Sequence, residues 1–381
     1  MQNLEKFKEI QPYSDDEVPH VIAELVRERK FLGFVKMFFP ELSTREIIRG
    51  FQKIKTIKDF QINFIYEIVD RIIKDTRTEL SYKGIENIKN SQPAIFISNH
   101  RDIILDSAFL NYILTNHGME TTEIAIGSNL LIMNWIEDLA RLNKTFIVIR
   151  SAPKKKLYHY SYRLSEYIRY AITEKKVSIW IAQREGRTKD GNDKTQLSLL
   201  KMLGLSGEKN YVEKIKDLNI IPLSISYEYE PCDVGKVREL YKKQTENYKK
   251  TKLDDLTSMV KSFESYKGKV NLAFGIPVNK GFLHNNPQFE NKNDFYQKLA
   301  QYIDNQIYLN YELYPNNFIA ADIFFETTEY SKYYTKEQKQ KFIQYMENAI
   351  NQIEGDKNIL RKMFLKIYAI PVKNHFLAKQ K

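Results

Sequence analysis

Ala94-Ile95-Phe96-Ile97-Ser98-Asn99-His100-Arg101-Asp102-Ile103-Ile104-Leu105-Asp106 passes from a short apolar run through polar residues into a second apolar stretch with helical spacing. Four apolar residues suit a buried strand, and positions 103–115 suit the helix after it. His100 then stands in a strand-to-helix turn, with carboxylates two and six residues later. A general base and the acid that orients it need such proximity. Working outward, further apolar runs at 123–126, 145–149, 177–182, 220–226 and 270–274 alternate with helical stretches at 130–141, 156–173 and 253–266. This alternation predicts an α/β fold, a mixed, mainly parallel sheet flanked by helices. Ligand sites in such folds collect beyond the carboxyl ends of strands, where His100 falls.

The flanks are helical. Ile22, Leu25, Val26 and Arg29, then Ile62, Ile65, Ile68, Val69 and Ile72, recur at helical spacing, and Pro40 separates the two groups. After residue 290 helices are expected at 292–311, 335–353 and 357–368. The expected organisation is an N-terminal helical region (1–80), an α/β catalytic domain (81–290) and a C-terminal helical region (291–381). There is no internal repeat, and 14 Gly and 11 Pro are too few for a flexible multi-module array.

A hydrophobic content of 43% over 381 residues excludes disorder and is ample for a full core. The formal charge of +11 would attract anionic lipid headgroups, nucleic acid or an acidic carrier protein, while biased composition with solvated lysines explains it equally. No recognised nucleic-acid motif accompanies the charge. The single cysteine, Cys232, permits no intramolecular disulfide. Residues 1–17 carry charges throughout and lack an apolar core, so they do not read as a secretory signal. No run approaches the roughly 20 apolar residues of a membrane span. The expected location is therefore cytoplasmic, peripheral on the inner face of an anionic membrane. Two apolar helix faces are candidates for that contact: Phe31, Phe34, Phe38 and Phe39, and the C-terminal Leu360, Phe364 and Ile367.

Asp102 sits where a helix N-cap belongs, so its expected task is to accept free backbone N–H groups. Asp106 lies among Leu105, Ala108 and Phe109 and needs a partner if buried, a role open to His100. A second cluster follows the run at 177–182: Gln183-Arg184-Glu185-Gly186-Arg187-Thr188-Lys189-Asp190-Gly191. Its glycines permit close backbone approach, and its basic side chains suit a phosphate. Arg150 ends the run at 145–149 and is followed by Lys154-Lys155-Lys156. In the run at 220–226, Pro222 favours an edge strand or a strand start.

These blocks together resemble the glycerolipid acyltransferase superfamily, the glycerol-3-phosphate and lysophosphatidate acyltransferases, over about residues 93 to 230. The family carries Asn-His followed by an aspartate, a strand ending in Phe-Ile-x-Arg, then Glu-Gly-x-Arg, then Val-Pro-Val. Here the blocks are Asn99-His100 with Asp106, 145–150, Glu185-Gly186-Arg187-Thr188 and Ile221-Pro222-Leu223, in the same order. The segment from Arg150 to Glu185 is closer to the glycerol-3-phosphate branch. Two departures stand out: the family's aspartate falls five residues after the histidine, where this chain has Leu105, and the third block is one residue shorter than in the glycerol-3-phosphate branch.

The resemblance implies that His100 removes a proton from an acceptor hydroxyl, which attacks the thioester of an acyl-CoA or acyl-carrier protein. Asp106 would orient the imidazole, and Arg150, Glu185, Gly186, Arg187 and Lys189 would bind substrate. It implies no metal and no cofactor beyond the acyl donor. Rival readings are transfer to another lyso-lipid such as an aminolipid, a metallohydrolase on His100, Asp102 and Asp106, and a non-catalytic basic membrane-binding protein. Gly204-Leu205-Ser206-Gly207 has the wrong spacing for a nucleophile elbow, which argues against a serine hydrolase.

Overall fold

A computed structural model describes residues 5–88, 92–150, 153–246, 248–285 and 288–380. Among these, seven strands form one sheet: β1 Glu79–Lys83, β2 Ile95–Ser98, β3 Glu123–Gly127, β4 Thr145–Val148, β5 Ile179–Ala182, β6 Ile220–Tyr227 and β7 Lys269–Phe274. Their spatial order is β1-β7-β6-β2-β5-β3-β4, and all neighbours pair in parallel except β6 with β7. The expected α/β architecture is present.

Side chains on successive residues of a strand leave opposite faces, and each face has its own core. Phe96, Trp180, Ile221 and Leu223 pack on one face with Phe31, Phe51, Phe60 and Phe64 of the N-terminal helices. Ile95, Ile97, Ile179 and Ile181 pack on the other with Ile168 of the helix Lys154–Thr173 and Leu299 of the helix Lys292–Asn310. A third cluster joins the C-terminal helices Pro315–Phe324, Lys336–Asn351 and Lys357–Lys379 to Val237. Burial on both faces explains why the central strands read as unbroken apolar runs.

Three expectations need correction. First, residues 79–83 form an edge strand rather than the end of a helical region; its pattern is polar and mostly exposed, which hides it from an apolar-run reading. Second, Pro222 lies in β6, a central strand. Its carbonyl accepts from Gly275 N at 2.8 Å, and its missing N–H faces the same side, one residue past the last β6–β7 pair Leu223–Phe274, so the bond it forgoes lies at the end of that ladder. Third, the last helix continues to Lys379, through Pro371. Lys381 lies outside the described residues.

Of the two expected membrane faces, the C-terminal one is corrected and the N-terminal one only at Phe31. Phe31 is fully buried, Phe34 and Phe38 pack against the same core, and Leu360, Phe364 and Ile367 are buried in the third cluster. Each fully buried side chain among them contributes about 1.5–3 kcal/mol by leaving water inside the protein, so the C-terminal face is not free to insert elsewhere, while Phe34, Phe38 and Phe39 are only partly buried. No helix among the described residues is long and apolar enough to cross a membrane.

Candidate active site

The turn after β2 is organised by two carboxylates that cap it reciprocally. Asp102 Oδ1 accepts from Ile104 N and Leu105 N at 2.9 and 2.8 Å, at the start of the helix Leu105–Asn116, as an N-cap should. Asp106, in the first turn of that helix, reaches back: its Oδ2 accepts from Arg101 N at 2.7 Å and Asp102 N at 2.9 Å. The same oxygen lies 2.9 Å from His100 Nδ1. An ionised carboxylate only accepts, so Nδ1 carries the proton and Nε2 is left as the basic nitrogen. The His100 side chain is 13% exposed while that of Asp106 is fully buried, so the ring is held from behind and open in front. The residue by which this chain exceeds the family spacing is absorbed between His100 and Leu105, ahead of the first helical residue.

Sequence reasoning missed what surrounds this pair. Tyr227, at the end of β6, donates its hydroxyl to Asp106 Oδ1 at 2.8 Å. Burial, with Asp106 beside it, pushes that phenol well above its ordinary pKa, so it stays a donor. Trp180 of β5 meets the His100 ring edge-on at 5.7 Å, with its indole N–H on Ser98 Oγ at 3.0 Å. Asn99 imitates one more residue of the β2–β6 ladder: its amide donates to Ile225 O at 2.9 Å and accepts from Ile225 N at 2.8 Å. That side-chain pair locks the turn to β6 where backbone pairing stops.

Beneath the turn lies a buried set of matched charges. Arg101, fully buried, pairs with Asp193 and, at 3.3 Å, with Glu230. Lys236 pairs with Glu230 and donates to Arg101 O at 2.7 Å. Burial opposes the Arg101 charge, but Asp193 and Glu230 outweigh it and raise its pKa further. Arg101 adjoins His100 in sequence, which is the one signal that could have found it. Its partners are around a hundred residues away, where no local pattern connects them.

The five expected substrate-binding residues do not form one cluster. Arg150 meets Glu185 at 3.4 Å on the surface, across the ends of β4 and β5. A Cβ at Gly127 would lie 2.6 Å from Arg150 Nε, so glycine is what lets the guanidinium cross the end of β3. After Gly186, at φ +71°, the chain turns inward. Arg187 is buried, its Nη1 has no hydrogen-bond partner, and its Nη2 is 4.0 Å from Asp255. It lines a cavity of about 500 Å³ whose walls carry basic side chains (Arg238, Lys242 and Lys261) and acidic ones (Glu239, Asp254 and Glu264) alike. An unmet buried N–H costs about 1–3 kcal/mol, which an anion in the cavity would recover. Lys189 already has a carboxylate: its ammonium is bound by Glu239, and burial lowers its pKa. His100 and Arg150 are not among the lining residues.

Cys232 also lines this cavity, but burial pushes its thiol up to about 11, so it is not a thiolate at neutral pH. Among the described residues no group of three or more His, Cys, Asp and Glu side chains is arranged to hold a metal ion. Asp102 spends its second oxygen on the Ser262 hydroxyl, not on His100.

Fold and turn together define an α/β protein with a histidine–aspartate pair at the carboxyl end of a central parallel strand. Residues 79–226 match the family model described as Acyltransferase, from the start of β1 into β6. Over those residues the chain thus has the pattern of an acyltransferase domain. It is 23% identical over 172 residues to the dihydroxyacetone phosphate acyltransferase of Bos taurus, covering 44% of this chain and 25% of that protein. Against the protein of the same name from Mus musculus it is 24% identical over 220 residues, 56% of this chain and 31% of the relative. This chain thus aligns with only a quarter to a third of those relatives. Among solved structures, the 1-acyl-sn-glycerophosphate acyltransferase PlsC from Thermotoga maritima aligns with a TM-score of 0.38 at 14% identity, over 75% of this chain and 91% of that one.

Proposed function

We propose that this protein transfers a fatty acyl group from a thioester donor, acyl-CoA or acyl-carrier protein, to the hydroxyl of a phosphate-bearing glycerolipid precursor. The observation that carries the reading is the His100–Asp106 pair, with Nδ1 tied to a buried carboxylate and Nε2 available. Nε2 takes the proton of the acceptor hydroxyl as its oxygen bonds to the thioester carbonyl carbon. The C–S bond then breaks, and the imidazolium returns the proton to the leaving thiolate. Asp106 stabilises the imidazolium electrostatically without taking its proton, as in a hydrolase triad.

The unmet Nη1 of Arg187 in its cavity favours an acceptor with a phosphate over an uncharged lyso-aminolipid hydroxyl. Glycerol-3-phosphate, lysophosphatidate and dihydroxyacetone phosphate, the last from the names of the relatives, share a hydroxyl and a phosphate on a three-carbon frame. A lipid product would be met by peripheral association with an anionic membrane at the inner face.

The test is acyl transfer by the purified chain, with both donors against all three acceptors and products identified by mass spectrometry. Transfer to at least one phosphate-bearing acceptor, lost in His100→Ala, is expected. Absence of transfer to all three with either donor, or turnover unaffected by His100→Ala, would overturn the reading.

A further inference from the structure

The helix Lys154–Thr173 is packed along only half its length. From Leu164 onward it places Leu164, Tyr167, Ile168, Ala171 and Ile172 in the second core. Its first turns carry no core contact: Leu157 is 41% exposed, Tyr158 66% and Tyr162 37%, and Lys155 and Lys156 are exposed beside them. The side chain of Lys154 lies outside the described residues. Residues 154–162 therefore form an overhang of about 13 Å at 1.5 Å per residue. What supports it is local, the stacking of Tyr158 on Tyr162 at 6.4 Å and the Ser161 hydroxyl on Leu157 O at 2.8 Å.

We infer that this overhang is the surface by which the protein docks on an anionic lipid bilayer. Three observations favour that occupant. Leucine and tyrosines beside lysines are the composition of an interfacial element, in which the rings sit at headgroup level and the ammonium groups meet lipid phosphates. The C-terminal helix face that suggested membrane contact in the sequence is inside the protein, whereas Leu157, Tyr158 and Tyr162 stay exposed on one short stretch with Lys155 and Lys156. It also begins on the edge that carries His100. The overhang follows Arg150 at the end of β4, Arg150 reaches Glu185 after β5, and Thr188 N donates to His100 O at 2.8 Å. Since β2, β5, β3 and β4 are parallel, those ends share one edge of the sheet. Docking there presents the dyad's edge to the bilayer. The proposal gains its purpose from the glycerolipid reading, but its test does not depend on it.

The experiment is co-sedimentation of the full chain with phosphatidylglycerol vesicles and with phosphatidylcholine vesicles, without donor or acceptor. Wild type should partition onto the anionic vesicles. The double variant Lys155→Ala/Lys156→Ala should bind them about 25-fold more weakly, from about fivefold per lysine near an anionic surface. Leu157→Asp/Tyr158→Asp should lose the part of binding that survives high salt. Both variants should keep the wild-type unfolding midpoint, and transfer from a soluble short-chain donor to a water-soluble acceptor is measured separately. Wild type staying in the supernatant with anionic vesicles at low salt, or both variants binding as wild type does, would overturn the inference while leaving the acyl-transfer reading standing. Loss of soluble transfer in wild type with vesicle binding intact would overturn the latter alone.

Discussion

Arg101–Asp193 and Arg150–Glu185 are both ion pairs close to the same turn. The first has side chains 0% and 3% exposed, and the second 32% and 66%. Under His100, arginine and lysine are matched against two acids and locked to β6 through Asn99 and Tyr227. Beside Arg150 the chain is open, with a helix overhang and a pair that solvent screens. A buried charge pair is poor value for stability but strict about geometry, because removing one partner leaves the other unmet. A surface pair contributes about 0–1 kcal/mol and leaves its side chains free to meet something else. The closed side thus suits holding side chains in a fixed geometry, and the open side leaves its side chains free to move.

The comparison breaks first at the dyad. His100→Ala should lower kcat by about 10²-fold or more with an unchanged unfolding midpoint, and retention of a tenth of wild-type turnover would remove the histidine from its role. Asp106→Asn should follow, by on the order of 10²-fold in kcat with KM nearly constant. Its amide oxygen can still accept the Oδ2 bonds while the charge opposite the imidazolium is gone. Asp102→Asn should stay within about threefold, since an asparagine still caps the helix. The reverse ranking would transfer the orienting role to Asp102.

Next comes the difference between the two ion pairs. Arg101→Met should destabilise the fold by about 3–5 kcal/mol in urea titration, whereas Arg150→Ala should change it by less than about 1 kcal/mol. Equal costs would erase the distinction between a closed and an open side.

A third test uses Lys267, a buried lysine on the Asp102 side. Burial lowers its pKa from 10.5 to about 8, with Asp102 and Cys232 opposing the shift. Between those values the unfolded chain binds more protons than the native one, so stability should rise as pH climbs from about 8 to 10.5 and be lower by about 3 kcal/mol below that window. In Lys267→Met this rise should be smaller than in wild type. Identical pH profiles would mean that the ammonium is already solvated.

The smallest effect is expected at the cavity. Arg187→Ala should raise the acceptor KM about tenfold and leave the donor KM unchanged, and Arg187→Lys should recover only part of it. A change confined to the donor KM would assign the cavity to the acyl carrier.

Much of this architecture is legible along the chain. Strands β2 to β7 read as apolar runs, within one or two residues at either end, because burial on both faces leaves no polar alternation to confuse them. Strand β1 does not, since an edge strand of Glu79, Ser81 and Lys83 carries no such run. The C-terminal helix passes through Pro371, whose missing N–H frees the Ile367 carbonyl. Gly191 packs there, where a Cβ would come within 2.5 Å of that oxygen. Neither residue announces the other.

What the sequence by itself determined is what depends on near neighbours: the strand-to-helix turn, His100 with Asp102 and Asp106 within reach, and the ordered blocks that mark an acyltransferase domain. The short spacing between these residues leaves little conformational freedom, so local periodicity and capping are enough. Only the tertiary structure decided which aspartate binds the histidine, that Arg187 turns inward while Arg150 stays out, and that the C-terminal amphipathic helix spends its apolar face on the core. Those outcomes rest on Tyr227, Asp193, Glu230 and Lys236 arriving from distant parts of the chain. Burial and charge pairing are properties of the packed molecule, and a linear pattern carries no record of which distant group will be there to meet them.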